Sequence, residues 1–180
     1  ALGGWEKLMD TLRGRLAEVM GGLEIERTRG PLDAARIARE AVRSGVKRLI
    51  VGGGDGTVSE VVTGLLAAGL GEEAEIGILP LGSGCDFARM LGISNAPEKA
   101  IEQLASGGCR RVDAGRIEYR GGNGQNKTRY FLNEASFGLS GLIVESMDSW
   151  RFSSCWLSAC SRVWSLLSAS SRNCCDVVVR

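Results

Sequence analysis

The chain has 180 residues, is 44% hydrophobic and carries 22 Lys plus Arg against 21 Asp plus Glu, a net charge of +1. That is enough apolar material for a sizeable core, and near-neutrality argues against nucleic acid as a partner. Histidine is absent, which excludes Ser-His-Asp and Cys-His catalysis and the commonest zinc ligand, so acid-base chemistry falls to carboxylate, Lys, Tyr or Cys.

Six cysteines occur without a C-x-x-C pair, and four of them crowd the last 26 residues. Reduced intracellular thiols are expected rather than a disulfide framework. With no signal peptide and no unbroken apolar run of spanning length, the protein is expected to be soluble or peripherally membrane-bound. The chain opens without Met, as a fragment or processed form would.

In chain order, Leu8, Leu12, Leu16 and Met20 share the apolar face of a helix predicted over Trp5 to Met20, stopped by Gly21 and Gly22. Leu23 to Glu26 alternates like a short strand. Pro31 suits the first turn of a second helix, lined by Ala34, Ile37, Ala38, Ala41 and Val42 and ended by Gly45. Leu49, Ile50 and Val51 form the next strand, and Gly52 to Thr57 reads Gly-Gly-Gly-Asp-Gly-Thr. A third helix is predicted from Val58 to Ala68. A strand over Ile76 to Leu79 runs into a second glycine turn, Pro80 to Gly84, followed by short helices over 86–91 and 97–105.

This alternation predicts an α/β domain with a parallel sheet covered on both faces. Ligands of such sheets gather at the carboxyl ends of the strands. Glycine lets a bulky anion approach the backbone, and a helix starting there adds its positive end. The first glycine loop therefore reads as a phosphate cradle. Asp55 is either a helix N-cap or a carboxylate for Mg²⁺ and a transferring phosphoryl group.

From Arg110 the pattern changes. Strands are expected at 111–117 and 129–137 around an exposed turn at Gly121 to Gly124, with two helical stretches and a last strand at 176–179. The organisation expected is a nucleotide-binding domain over 1–108 and the beginning of a β-rich, truncated second domain over 109–180. Leu157, Cys160, Trp164 and Leu167 have helical spacing that suits either a core or a lipid-facing surface.

The stretch Gly53 to Val62 together with Ile78 to Arg89, followed by Val112-Asp113-Ala114-Gly115 and by Phe131 to Gly138, resembles the diacylglycerol kinase/sphingosine kinase family of lipid kinases. The resemblance is nearest to the branch of bacterial lipid kinases and plant sphingoid-base-kinase-like proteins. It implies a Rossmann-like nucleotide-binding domain followed by a sandwich-like β domain, with the active site between them. It implies transfer of the γ-phosphoryl group of ATP, with Mg²⁺, to the hydroxyl of a diacylglycerol or sphingoid base. Peripheral membrane contact goes with such a substrate, and a homodimer is compatible with it.

Position by position, the resemblance implies that Gly53, Gly54, Asp55, Gly56, Thr57, Val58 and Ser59 wrap the ATP phosphates, with Asp55 near the metal. Thr28, Gly82 and Ser83 would meet the nucleotide, while Glu60 and Gly84 belong to the same motifs. The chain departs from the family's pattern at Cys85, where Asn is usual, at Ser83 in place of Thr, and at Ser140 in place of an acid. The family's opening strand is missing, and its proposed general base lies beyond Arg180. An NAD kinase shares the Gly-Gly-Asp-Gly turn but not the Pro80 to Arg89 stretch. A nucleotide-binding pseudokinase is the non-enzymatic alternative.

Overall fold

The computed structural model describes residues 2–133 and 176–179. The elements, in chain order, are α1 (Leu2–Met20), β1 (Glu24–Arg27), α2 (Asp33–Arg43), β2 (Arg48–Gly53), α3 (Asp55–Ala67), β3 (Glu75–Pro80), α4 (Asp86–Met90), α5 (Pro97–Ser106), β4 (Gly115–Arg120), β5 (Asn126–Phe131) and β6 (Asp176–Val179).

The main sheet has the order β1-β6-β2-β3. β2 and β3 pair in parallel, with Gly52 opposite Leu79 and Gly53 opposite Pro80, so both strands end at the same level. Alternation along them divides the core. Leu49, Val51 and Ile78 pack with α2, α3 and α4 on one face. Ile50 and Leu79 pack with Leu12 and Leu16 of α1 and with Ala100 and Ile101 of α5 on the other. A strand buried on both faces must be apolar at every position, which is why Leu49 to Val51 is an unbroken run.

The sheet is not wholly parallel. β6 runs antiparallel between β1 and β2, with Val178 opposite both Ile25 and Ile50. The expected parallel sheet rested on strands joined through crossover helices, as α3 joins β2 to β3; β6 comes from far along the chain and is not a neighbour in sequence of either strand it pairs with. The last strand expected at 176–179 is therefore found in the main sheet.

β4 and β5 form a separate antiparallel hairpin. Its turn is closed by Gly121 N–H to the Gln125 carbonyl at 2.8 Å, and Gly124 adopts φ +76°. The first strand begins later than the expected 111–117, because its pairing with the second starts only at Gly115, opposite Phe131. The hairpin meets the rest of the molecule at α3, where the Thr63 hydroxyl donates to the Tyr130 carbonyl at 3.2 Å. Ser140, the Leu157 to Leu167 stripe, and the helices expected there lie outside the described residues, as does most of the expected sandwich.

Candidate active site

β2 ends in Gly52 and Gly53, and α3 begins two residues later. Gly54 caps the helix with extended backbone. The amides of Thr57 and Val58 both donate to the Gly54 carbonyl, at 3.1 and 3.2 Å. β3 ends in Pro80, and the second glycine turn follows at once. The Leu81 amide donates to the Gly53 carbonyl at 3.1 Å, which carries the ladder one step past the strands.

The two turns touch. A Cβ placed on Gly82 would sit 2.5 Å from Gly54 Cα and 3.0 Å from its amide nitrogen. No side chain fits on Gly82 at that contact, whereas a Cβ on Gly54 would stand 3.3 Å from Gly82 Cα, tight but short of a clash. The amides of Asp55, Gly56, Ser83 and Gly84 donate to no group among the described residues. Four unengaged donors on two adjoining turns fit the anionic oxygens of a nucleotide's phosphates.

Asp55 is the first residue of α3, not its N-cap. Its carboxylate reaches across to the other turn, accepting from the Asp86 amide at 2.9 Å and the Phe87 amide at 3.0 Å. Each carboxylate oxygen keeps a second lone pair. The group therefore retains capacity for a hard cation such as Mg²⁺, which takes oxygen ligands. Asp86 in turn accepts from Arg89 at 2.8 Å, and Arg89 donates to the Gly84 carbonyl at 2.6 Å.

Cys85 stands between the turns at φ +54°, ψ +40°. Asn tolerates that left-handed geometry better than most residues, so the Asn that the resemblance implies at this position would suit the backbone better than the thiol does. The Cys85 thiol donates to the Gly82 carbonyl at 3.3 Å and lies 3.8 Å from that of Gly53. Burial pushes its pKa up, so it is a neutral packing group, not a nucleophile.

The other residues singled out in the sequence divide by orientation. Thr57 and Val58 are buried, and Val58 packs in the core cluster. Ser59 and Glu60 are half-buried on α3, Gly56 and Ser83 are exposed, and Gly53 is buried in β2. Thr28 is half-buried just past the end of β1, in the loop that leads to Leu32. Leu32 is itself at φ +66°. Leu32 and Cys85 are the two non-glycine residues with positive φ among those described. Both lie in loops that follow the carboxyl ends of strands, where strained backbone often marks functional sites.

Sequence reasoning missed the bridge from Asp55 to α4. Its signal was faint: α4 begins after Cys85, which offers no side-chain cap, so its first amides needed a partner from elsewhere. A groove of about 970 Å³ lies between β1 and α2, but no residue of the two glycine turns lines it. Of its charged lining, Arg36 pairs with Asp33 and Glu40.

Comparison with known proteins agrees with this geometry. The family model described as "Diacylglycerol kinase catalytic domain" matches residues 3–117, and the chain belongs to that family. It is 40% identical over 133 residues to a protein of Chromohalobacter salexigens named "Probable lipid kinase YegS-like", an alignment covering 74% of this chain and 40% of the relative. It is 39% identical over 106 residues to "Probable lipid kinase YegS" of Shigella flexneri, covering 59% of this chain and 33% of that one. The chain thus spans less than half the length of these relatives.

Proposed function

We propose that this chain is the nucleotide-binding part of an ATP-dependent lipid kinase that phosphorylates the hydroxyl of a diacylglycerol or sphingoid base. The observation that carries the reading is the contact between Gly54 and Gly82 at the common end of β2 and β3. It joins two phosphate-approachable turns into one floor.

On this reading the amides of Asp55, Gly56, Ser83 and Gly84, which donate to no group among the described residues, hold phosphate oxygens, with the Ser83 hydroxyl and Thr28 as further contacts. Thr57, Ser59 and Glu60 complete the first motif, and Asp55 would hold the Mg²⁺ that accompanies the phosphates. Bound Mg²⁺ would neutralise charge building on the phosphate oxygens. The residues present act by positioning and electrostatics, since phosphoryl transfer asks little covalent chemistry of the protein. Peripheral contact with a membrane and pairing into a homodimer belong to the same proposal. Among the described residues no helix is long and apolar enough to cross a membrane.

The test is phosphate transfer from labelled ATP with Mg²⁺ to dispersed diacylglycerol, dispersed sphingoid base, or NAD, using protein from the full reading frame. Lipid-dependent labelling is expected. Labelling of NAD alone would replace the acceptor. MgATP binding without transfer to any acceptor would favour the pseudokinase reading, for which the substitution at Cys85 speaks.

A further inference from the structure

We infer that Asp55 is a positioning residue that caps α4 from 31 residues away and so sets the second glycine turn against the first. Three observations carry this. First, α4 has no cap of its own: Cys85 precedes it and makes no capping bond to its amides. Second, Asp86 and Phe87 are the first two helical residues, whose amides lack intrahelical acceptors, and both donate to Asp55, one to each carboxylate oxygen, at 2.9 and 3.0 Å. Third, the carboxylate leaves from the residue directly after Gly54, the glycine that Gly82 touches. The two turns are therefore joined twice, by a close backbone approach and by a charge-assisted pair of hydrogen bonds.

The arrangement has a mechanical consequence. Between Gly82 and Phe87 the chain passes through Cys85 at positive φ, a conformation that needs outside support. Asp55 supplies support at the far end of that segment, and the Cys85 thiol supplies it from below through the carbonyls of Gly82 and Gly53. With Asp55 shortened or neutralised, the amides of Asp86 and Phe87 lose their acceptor and the second turn is free to drift from the first. The consequence for nucleotide rests on the kinase reading; the capping bond itself does not.

The experiment is residue-resolved amide hydrogen exchange on the whole chain, with Asp55→Asn and Asp55→Ala beside the unaltered protein. In the unaltered protein Asp86 and Phe87 should exchange at least about ten-fold more slowly than Glu98 and Lys99, which open the uncapped α5. Exchange at 86 and 87 should rise in the order unaltered, Asn, Ala, because Asn keeps one acceptor oxygen, while Leu49 to Val51 stays protected. The dissociation constant for MgATP should rise in the same order.

Equal exchange at 86, 87, 98 and 99 in the unaltered protein overturns the inference, and that comparison stands even where the variants fail to fold. So does an equal loss of MgATP affinity in both variants with exchange at 86 and 87 unmoved, the pattern of a pure ligand contact. Failure of MgATP to bind the unaltered protein counts against the kinase reading alone, because exchange needs no nucleotide.

Discussion

Gly64 of α3 lies against Ala35 of α2 so closely that a Cβ on Gly64 would stand 2.6 Å from the Ala35 carbonyl oxygen and 2.8 Å from its Cα and Cβ. The two helices cover one face of the sheet, and α3 starts at the first glycine loop. The contact thus links packing on the sheet's face to the position of its mouth. Gly64→Ala should gain up to about 1 kcal/mol in helix propensity but lose about 1–3 kcal/mol to overpacking, toward the upper end because the obstacles are the backbone and the Cβ of Ala35, not the far end of a flexible side chain. A lowered thermal midpoint is expected; an unchanged or raised one would show that the helices part without cost.

Gly82→Ala addresses the mouth directly. The new methyl meets Gly54 backbone at 2.5 Å, so one turn must move. The strain, again about 1–3 kcal/mol, falls on the phosphate floor and should weaken MgATP binding about ten-fold or more. Titration calorimetry with MgATP reads this. Unchanged affinity in a folded variant would disconnect the contact from nucleotide binding.

Leu32 holds φ +66° with 61% of its surface exposed, so it occupies a left-handed position with little burial in return. Leu32→Gly removes the Cβ conflict and is expected to stabilise by up to about 1 kcal/mol. Leu32→Val, branched at Cβ, should destabilise. The two midpoints in urea, compared with the unaltered protein, check the sign.

Asp33 carries the pH prediction. The Arg29 amide's hydrogen bond at 2.8 Å, and after it the Arg36 side chain, hold its carboxyl below the ordinary value of 3.8. A depressed folded-state pKa means that the unfolded chain takes up the proton first. The contribution is therefore complete above the ordinary carboxylate range and is lost as pH falls through the lowered value. Asp33→Asn should lower stability at neutral pH and flatten the acid limb of the stability curve. A parallel downward shift at all pH values would contradict the linkage.

Cys85 is 4% exposed and its thiol is kept neutral by burial, whereas Cys109 is exposed. Iodoacetamide should label Cys109 about ten-fold faster or more, followed peptide by peptide in the mass spectrometer. Rapid labelling of Cys85 would mean that the floor between the turns opens readily.

Much of the fold was readable because its signals are local. The helix over 97–105 is found at Pro97–Ser106, where Pro97 starts it and Gly107 ends it at φ +73°. Ala34, Ile37, Ala38 and Val42 are buried as their spacing demands. The glycine motifs fall at the carboxyl ends of β2 and β3, though Gly52 and Gly53 belong to β2 and the helix expected from Val58 already starts at Asp55. The antiparallel insertion of β6 was not readable, since four apolar-leaning residues say nothing about which strands they join. Nor was the inward turn of Val58, which the motif placed with the phosphate residues while the helical period sends its side chain into the core.

The chain's own residues determined where strands yield to glycine and where helices begin, because backbone freedom and apolar period are properties of a few neighbouring positions. They also carried the family, through residue types at set spacings. Tertiary structure alone decided that Gly54 and Gly82 meet and that Asp55 turns away from its own helix to hold another's first amides. Those relations join residues about thirty positions apart, and their distance depends on the parallel register of β2 and β3 and on the helices packed behind them.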